Sequence, residues 1–317
     1  MNKMKFFTMA AVAAITLSPT MTSCNKVDNE EVDDNLQVEL RLSSGVEVQM
    51  RAAFPNTDKQ IPNGENVIVY VDETGGAQLY EKNTLVADGN GSLSGGTPMY
   101  FPASGNDVDI FALHTNATLP IAYPTTELNH MVSADQRTLA GYAPSDLLYA
   151  RRTNVAKTTS SVHLTFYHLL SKLQVAIKAG DGLTATDIAG ITIGGMKLQA
   201  NFTLAKITAP NDIAVTAAGT ASPITIGSDV SPDFVANIKY NDAIIIPQTL
   251  AINTAFITVH LSGGTDLIYR LPVETIFQSG KKYEYQITAN LWGITLTSSI
   301  EDWIPVGLPV TGNATVE

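Results

Sequence analysis

The chain is 317 residues long, with a formal net charge of −11 and a sequence pI near 4.8. That acidity argues against a nucleic-acid partner, whose phosphates would be neutralised by clustered lysine and arginine. The only cysteine is Cys24, so no intrachain disulfide can stabilise the fold, and 44% hydrophobic against 15% charged residues leaves enough apolar side chain for full cores.

The first residues read as a secretory signal peptide. Lys3 and Lys5 precede an uncharged, mostly apolar run from Phe6 to Leu17, and Met21-Thr22-Ser23 leads into Cys24. The run is too short to span a bilayer, which takes about 20 residues. Met21-Thr22-Ser23-Cys24 resembles the end of a bacterial lipoprotein signal. The expectation is that residues 1–23 are removed and the Cys24 thiol carries lipid (diacylglycerol, then palmitate), which anchors the chain to the outer membrane. Asp28, Glu30, Glu31, Asp33 and Asp34 follow and suit a solvated tether.

Beyond the tether the pattern is period two almost throughout. Leu36, Val38, Leu40 and Leu42 alternate with polar residues, and after Ser43-Ser44-Gly45 a second apolar face follows in which Val46, Val48 and Met50 alternate again. Further strands are predicted at 67–71, 77–80, 99–101 and 108–113, separated by Asn63-Gly64, Thr74-Gly75-Gly76 and Asp88-Gly89-Asn90-Gly91. Residues 134–150 are the one short helical or irregular insertion, and a long strand pair follows through 162–177. In the second half the rhythm repeats at 191–193, 198–204, 244–246, 256–261, 267–271 and 283–291. Many short strands and no sustained 3.6-residue period predict an all-β chain of sandwiches. The expected division is a signal (1–23), a tether with first strand (24–51), an N-terminal sandwich (52–180) and a C-terminal sandwich (181–317).

The chemistry of the chain points away from an enzyme. No Gly-x-Ser-x-Gly elbow, phosphate-binding loop or His-Glu-x-x-His sequence is present. His163 and His168 differ by an odd number and face opposite sides of a strand. They and His114, His130 and His260 read as sheet-surface or strand-end residues, so neither a metal nor another cofactor is expected. Asp107 and Asp109 share a strand face and read as solvated edge residues.

Several stretches together resemble the fimbrillins, the type V lipoprotein pilins of Bacteroidetes: Met21-Thr22-Ser23-Cys24, Asp146-Leu147-Leu148-Tyr149-Ala150, Leu164 through Leu173, Ile246-Pro247-Gln248, Phe277 with Gly280-Lys281-Lys282-Tyr283-Glu284-Tyr285, and Ile300-Glu301-Asp302-Trp303. The resemblance implies two tandem transthyretin-like, Greek-key β-sandwiches, export as a lipoprotein, and cleavage after an arginine by an extracellular, arginine-specific protease. The cut would remove the first strand, and a neighbouring fimbrillin subunit would fill the vacated groove with its own C-terminal strand. Acidic residues after the lipidated cysteine accompany surface display in such lipoproteins.

Residues of this chain match each part. Arg51-Ala52 suits the cleavage site, with Arg41 as the alternative inside an alternating strand. Ile304, Val306, Leu308 and Val310 share one parity and suit the donor strand, while Pro305 and Pro309 remove two amide donors. The same stretch packing on its own domain is the other reading. The leading expectation is therefore a structural, adhesive subunit of a cell-surface fimbria. The alternative is a surface-anchored glycan-binding lipoprotein, using Tyr142, Tyr149 and Tyr167.

Overall fold

The computed structural model describes residues 37–46, 59–303 and 314–315, and almost every ordered element within them is a strand. In the first part these are β1 (Leu42–Val46), β2 (Asn66–Glu73), β3 (Gln78–Ala87), β4 (Leu93–Ser94), β5 (Val108–His114), β6 (Leu128–Met131), β7 (Leu148–Val155), β8 (Val162–His168) and β9 (Ser171–Ala179). Then follow β10 (Ile188–Ile193), β11 (Lys197–Phe202), β12 (Val215–Ala221), β13 (Ile224–Ile226), β14 (Tyr240–Ile245) and β15 (Gln248–Leu250). The remainder are β16 (Ala255–Leu261), β17 (Asp266–Arg270), β18 (Thr275–Phe277), β19 (Lys281–Asn290), β20 (Gly293–Asp302) and β21 (Ala314–Thr315). The expected all-β class holds, and the stretch read as irregular contains a helical turn at Leu139–Tyr142 and a tighter one at Ala143–Ser145 before β7 begins.

Seven strands form one sheet in the order β1-β8-β7-β5-β2-β3-β4. Its central strands are apolar on both sides. In β2, Val67, Val69 and Val71 face one core while Ile68 and Tyr70 face another. In β5, Ile110 and Ala112 oppose Phe111 and Leu113 in the same way. A strand covered on both faces has no polar side to present, which is why these two read as unbroken apolar runs. The second core continues from this sheet into the strands of the C-terminal half, so one sheet supplies a wall to both clusters.

Two predicted features change. Residues 43–45 do not separate two apolar faces, since β1 runs straight through Ser43-Ser44-Gly45 in register with β8. Leu40, Leu42, Ser44 and Val46 all point inward, so the described alternation continues through Ser44 as one series. Likewise β8 and β9 are not partners. β8 pairs with β1 and β7, whereas β9 lies between β14 and β19 in the five-stranded sheet β14-β9-β19-β20-β21. β9 therefore carries the chain from one sheet to the other.

The two parts are also joined by side chains. Lys206, from the loop after β11, pairs with Asp72 of β2 and lies 5.0 Å from the centre of the Tyr123 ring and 5.5 Å from that of Phe111. His130, in β6, is fully buried between them. Its Nδ1 lies 2.9 Å from the Thr115 hydroxyl and also accepts the Asn116 N–H, so its proton sits on Nε2, which donates to Ser145 O at 2.9 Å. The histidines are thus more deeply placed than their sequence context indicates. His114 and His168 end their strands and are buried, and only His163 and His260 keep substantial solvent contact.

Burial holds the His130 imidazole well below its ordinary value of 6.5, at about 4. The unfolded chain therefore takes up a proton between these values while the folded chain does not. Stability present above pH 6.5 is lost as pH falls toward 4, by roughly 3 kcal/mol for this group. Urea unfolding at pH 7 and pH 4.5 checks this. His130→Gln should flatten the pH slope relative to wild type, because the remaining acid-sensitive groups are common to both proteins.

Candidate functional site

The first strand lies in a slot of the fold where it is paired along both edges. Period-two alternation makes residues 38–46 extended, with Leu40, Leu42 and Val46 buried and Glu39 and Arg41 exposed. On one edge β1 runs parallel to β8, from Leu42 opposite Val162 to Val46 opposite Phe166. Val162 N–H donates to Arg41 O at 2.7 Å.

The other edge of the same segment is also paired. Leu40 N–H donates to Met99 O at 2.8 Å, Phe101 N–H to Val38 O at 2.9 Å, and Ser44 N–H to Gly91 O at 2.7 Å. Ser43 bridges Ser92. The first strand thus closes the gap between β8, at one margin of the seven-stranded sheet, and the 91–101 stretch around β4 at the other. A polypeptide held along both edges, with its apolar face inward, is a full structural member of the sheet.

Local sequence prepares this slot. The Asp88 carboxylate accepts the amides of Asn90 at 2.7 Å and Ser92 at 2.9 Å, and these bonds hold its carboxyl below the usual range. The turn they fix carries Gly91 at φ +98°, where a Cβ would meet Ser44 O at 2.9 Å. Glycine is required there for both its conformation and the close approach of the first strand. The floor of the slot is apolar, built from Leu93, Met99, Phe101, Val162, Leu164 and Phe166.

Of the residues singled out from sequence, Cys24, Arg51 and Ala52, and Ile304, Val306, Leu308 and Val310, lie outside the described residues. Their described neighbours are informative. The stretch containing Arg51 is flanked by Val46 and Lys59, and Val46 N–H donates to Lys59 O at 2.9 Å. The alternative, Arg41, has its carbonyl engaged by β8 and its guanidinium 3.1 Å from Thr159 O. Cleavage there would require peeling the strand from the sheet first. At the other end the donor candidates follow Trp303, which is fully buried, and precede β21, which pairs antiparallel with Thr297 and Ser298 of β20.

The aromatics considered for glycan binding do not form a platform, since Tyr142 and Tyr149 are buried in the larger core. Asp109, in β5, accepts from Thr74 Oγ1 and Asn154 N–H, each at 2.8 Å, and ties the turn after β2 to the end of β7. Sequence reasoning missed the slot's second edge at Gly91–Phe101. The signal that locates the strand was present in the unbroken even-numbered alternation from Leu36 to Met50, but its pairing partners are remote in sequence.

Comparison with known proteins gives one consistent result. A family profile described as fimbrillin-like matches residues 51–303. A Bacteroides uniformis protein described as fimbrium subunit Fim1C is 27% identical over 322 aligned positions, covering 96% of this chain and 98% of its own. Two solved structures, each described as a cell adhesion protein, share the fold. The one from Bacteroides uniformis has a TM-score of 0.60 at 22% identity, covering 84% of this chain and 98% of its own. The one from Bacteroides ovatus has a TM-score of 0.61 at 17% identity, covering 85% and 99%.

The slot makes a direct prediction for the intact chain. Leu42→Ala should lower unfolding free energy by about 2–5 kcal/mol, as expected for truncating a buried leucine. Arg41→Ala, at an exposed position of the same segment, should cost roughly 1 kcal/mol or less. Urea titrations of the uncut protein distinguish the two.

Proposed function

The chain belongs to the fimbrillin-like family, whose members are structural fimbrial subunits, and from that premise we propose that it assembles into a cell-surface fimbria by proteolytically triggered strand exchange. The chain is exported and held at the outer membrane by lipid on Cys24. An extracellular, arginine-specific protease cuts between Arg51 and Ala52, and the segment Cys24–Arg51 departs with its lipid. The opened slot then receives Ile304, Val306, Leu308 and Val310 from another fimbrillin subunit. Repetition builds an extracellular fibre with a role in adhesion.

The observation that carries this reading is the double-edged pairing of the first strand, which lies wholly upstream of Arg51. Its loss uncovers the sites of three buried side chains, Leu40, Leu42 and Val46. At about 1.5–3 kcal/mol each, that is roughly 5–9 kcal/mol of gross apolar burial left open. Two strand edges lose their partners as well. An apolar slot between two unpaired edges favours addition of a strand from outside.

Treatment of purified precursor with an arginine-specific protease should yield a new N-terminus at Ala52 and ladders that survive mild detergent. Arg51→Ala should remain uncut and monomeric, whereas Arg41→Ala should behave as wild type. Trimmed protein that stays monomeric at high concentration would falsify strand exchange. In cells, an incorporated alkynyl palmitate should label the precursor and be absent from both the Cys24→Ala variant and the trimmed chain.

A further inference from the structure

Four stretches far apart in sequence meet where the chain crosses between sheets. The His168 ring, at the end of β8, stacks on the Trp303 indole with centroids 3.6 Å apart and planes 10° from parallel. Asp146 holds that imidazole at its edge, its carboxylate oxygens 2.9 and 3.1 Å from Nδ1. The Trp303 backbone N–H donates to Gly280 O at 2.7 Å, and Gly280 N–H donates to Leu170 O at 2.8 Å. Gly280 has φ +65°, so the turn that presents its carbonyl favours glycine. Ser279 Oγ donates to Leu169 O at 2.8 Å and Ser171 Oγ to Gln278 O at 2.7 Å, tying the same turn to the β8–β9 connection. Trp303, His168 and Asp146 are all buried.

We infer that Trp303 and His168 are positioning residues for assembly, anchoring the donated C-terminal segment to the strand that receives the neighbour's segment. This rests on the strand-exchange reading above. Trp303 directly precedes Ile304, so its contacts fix the residue from which the proposed donor starts. β8 lines the slot with Val162, Leu164 and Phe166 and ends at His168, beneath the indole. One strand therefore joins the incoming donor at its start to the outgoing donor at its end. In a fibre, the stacked pair gives the outgoing donor a direct contact with β8, beside its covalent path into β20, which is paired along its length with β19. A buried, stacked indole suits that role, since aromatic contacts add to burial and the ring pair resists rotation.

The test uses full-length chains trimmed by the arginine-specific protease. Trp303→Leu keeps an apolar side chain but removes the stack. It should fold and be cut, yet form ladders roughly tenfold less well than wild type, a change of about 1.4 kcal/mol. Its slot should remain competent, so in mixtures it should cap wild-type chains and shorten the ladders. A merely misfolded protein would not do this. Trp303→Phe should restore ladder length. His168→Asn, which leaves Trp303 in place and keeps an amide for Asp146, should reproduce both the donor defect and the capping. With Trp292→Phe as background, Trp303 fluorescence should be shielded from iodide in monomer and ladder alike. Wild-type ladders accompanied by equal ladders from folded Trp303→Leu or His168→Asn would overturn this inference alone. Wild-type chains that never polymerise after trimming would overturn it together with strand exchange.

Discussion

The structure depends on a short extended segment being hydrogen-bonded along both of its edges. Without residues 38–46, the seven-stranded sheet ends in two margins, β8 on one side and the 91–101 stretch on the other. With them, the margins are joined and the smaller core is closed over Leu40, Leu42 and Val46. Edge strands invite pairing with other chains, and a protein that is to remain monomeric during export must cover them. A covalently attached strand does so efficiently. Its effective concentration at the slot is on the order of millimolar, well above what a partner in dilute solution reaches. In the proposed cycle, cleavage removes this advantage without changing the slot.

In the proposed cycle the framework outlasts the emptying of the slot because the sheet that bears it is shared between two cores. β2 and β5 present alternate residues to two cores, and the larger core is built mainly on strands from the C-terminal half. His130, Lys206 and the β8–β9 connection add polar and ionic ties across the same region. Loss of β1 therefore opens one core, while the second core still holds the opposite face of β2, β5 and β7 in place.

The sequence displays these features unequally. β2, β5, β16 and β19 stand out because branched and aromatic residues recur at strand spacing over a length that only burial explains. β12 escapes notice because Val215–Ala221 is rich in alanine, threonine and glycine and much of it faces solvent. Ser43-Ser44-Gly45 divides the pattern into two apolar faces because small polar residues interrupt it locally, whereas the shared parity on either side records which face must be inward. Pairing is less legible than strand existence. Nothing in residues 42–46 specifies a parallel partner at 162–166, and nothing in Trp303 specifies His168. Such contacts arise from the whole arrangement of strands. Cys24, Arg51 and the Ile304–Val310 alternation are local sequence patterns that lie outside the described residues.

The composition of the two competing strands supplies a direction for exchange. The resident strand turns Leu40, Leu42, Ser44 and Val46 inward, so one of four inward positions is a serine. The proposed donor offers Ile304, Val306, Leu308 and Val310 on one parity, all apolar. Replacing a buried serine by an aliphatic side chain adds roughly 1.5–3 kcal/mol of burial if the slot accommodates it. The prolines oppose this less than their number suggests. In an extended strand, residues of one parity direct their amides to one edge, as the resident strand shows: Leu40 and Ser44 reach the 91–101 margin, while Arg41 meets β8. Pro305 and Pro309 share the parity opposite to the inward residues, so whichever way the donor runs, both fall against the same edge. The other edge keeps its full set of amides from Val306, Leu308 and Val310. A donor of this design gives up hydrogen bonds along one margin and gains apolar contact across the whole floor of the slot.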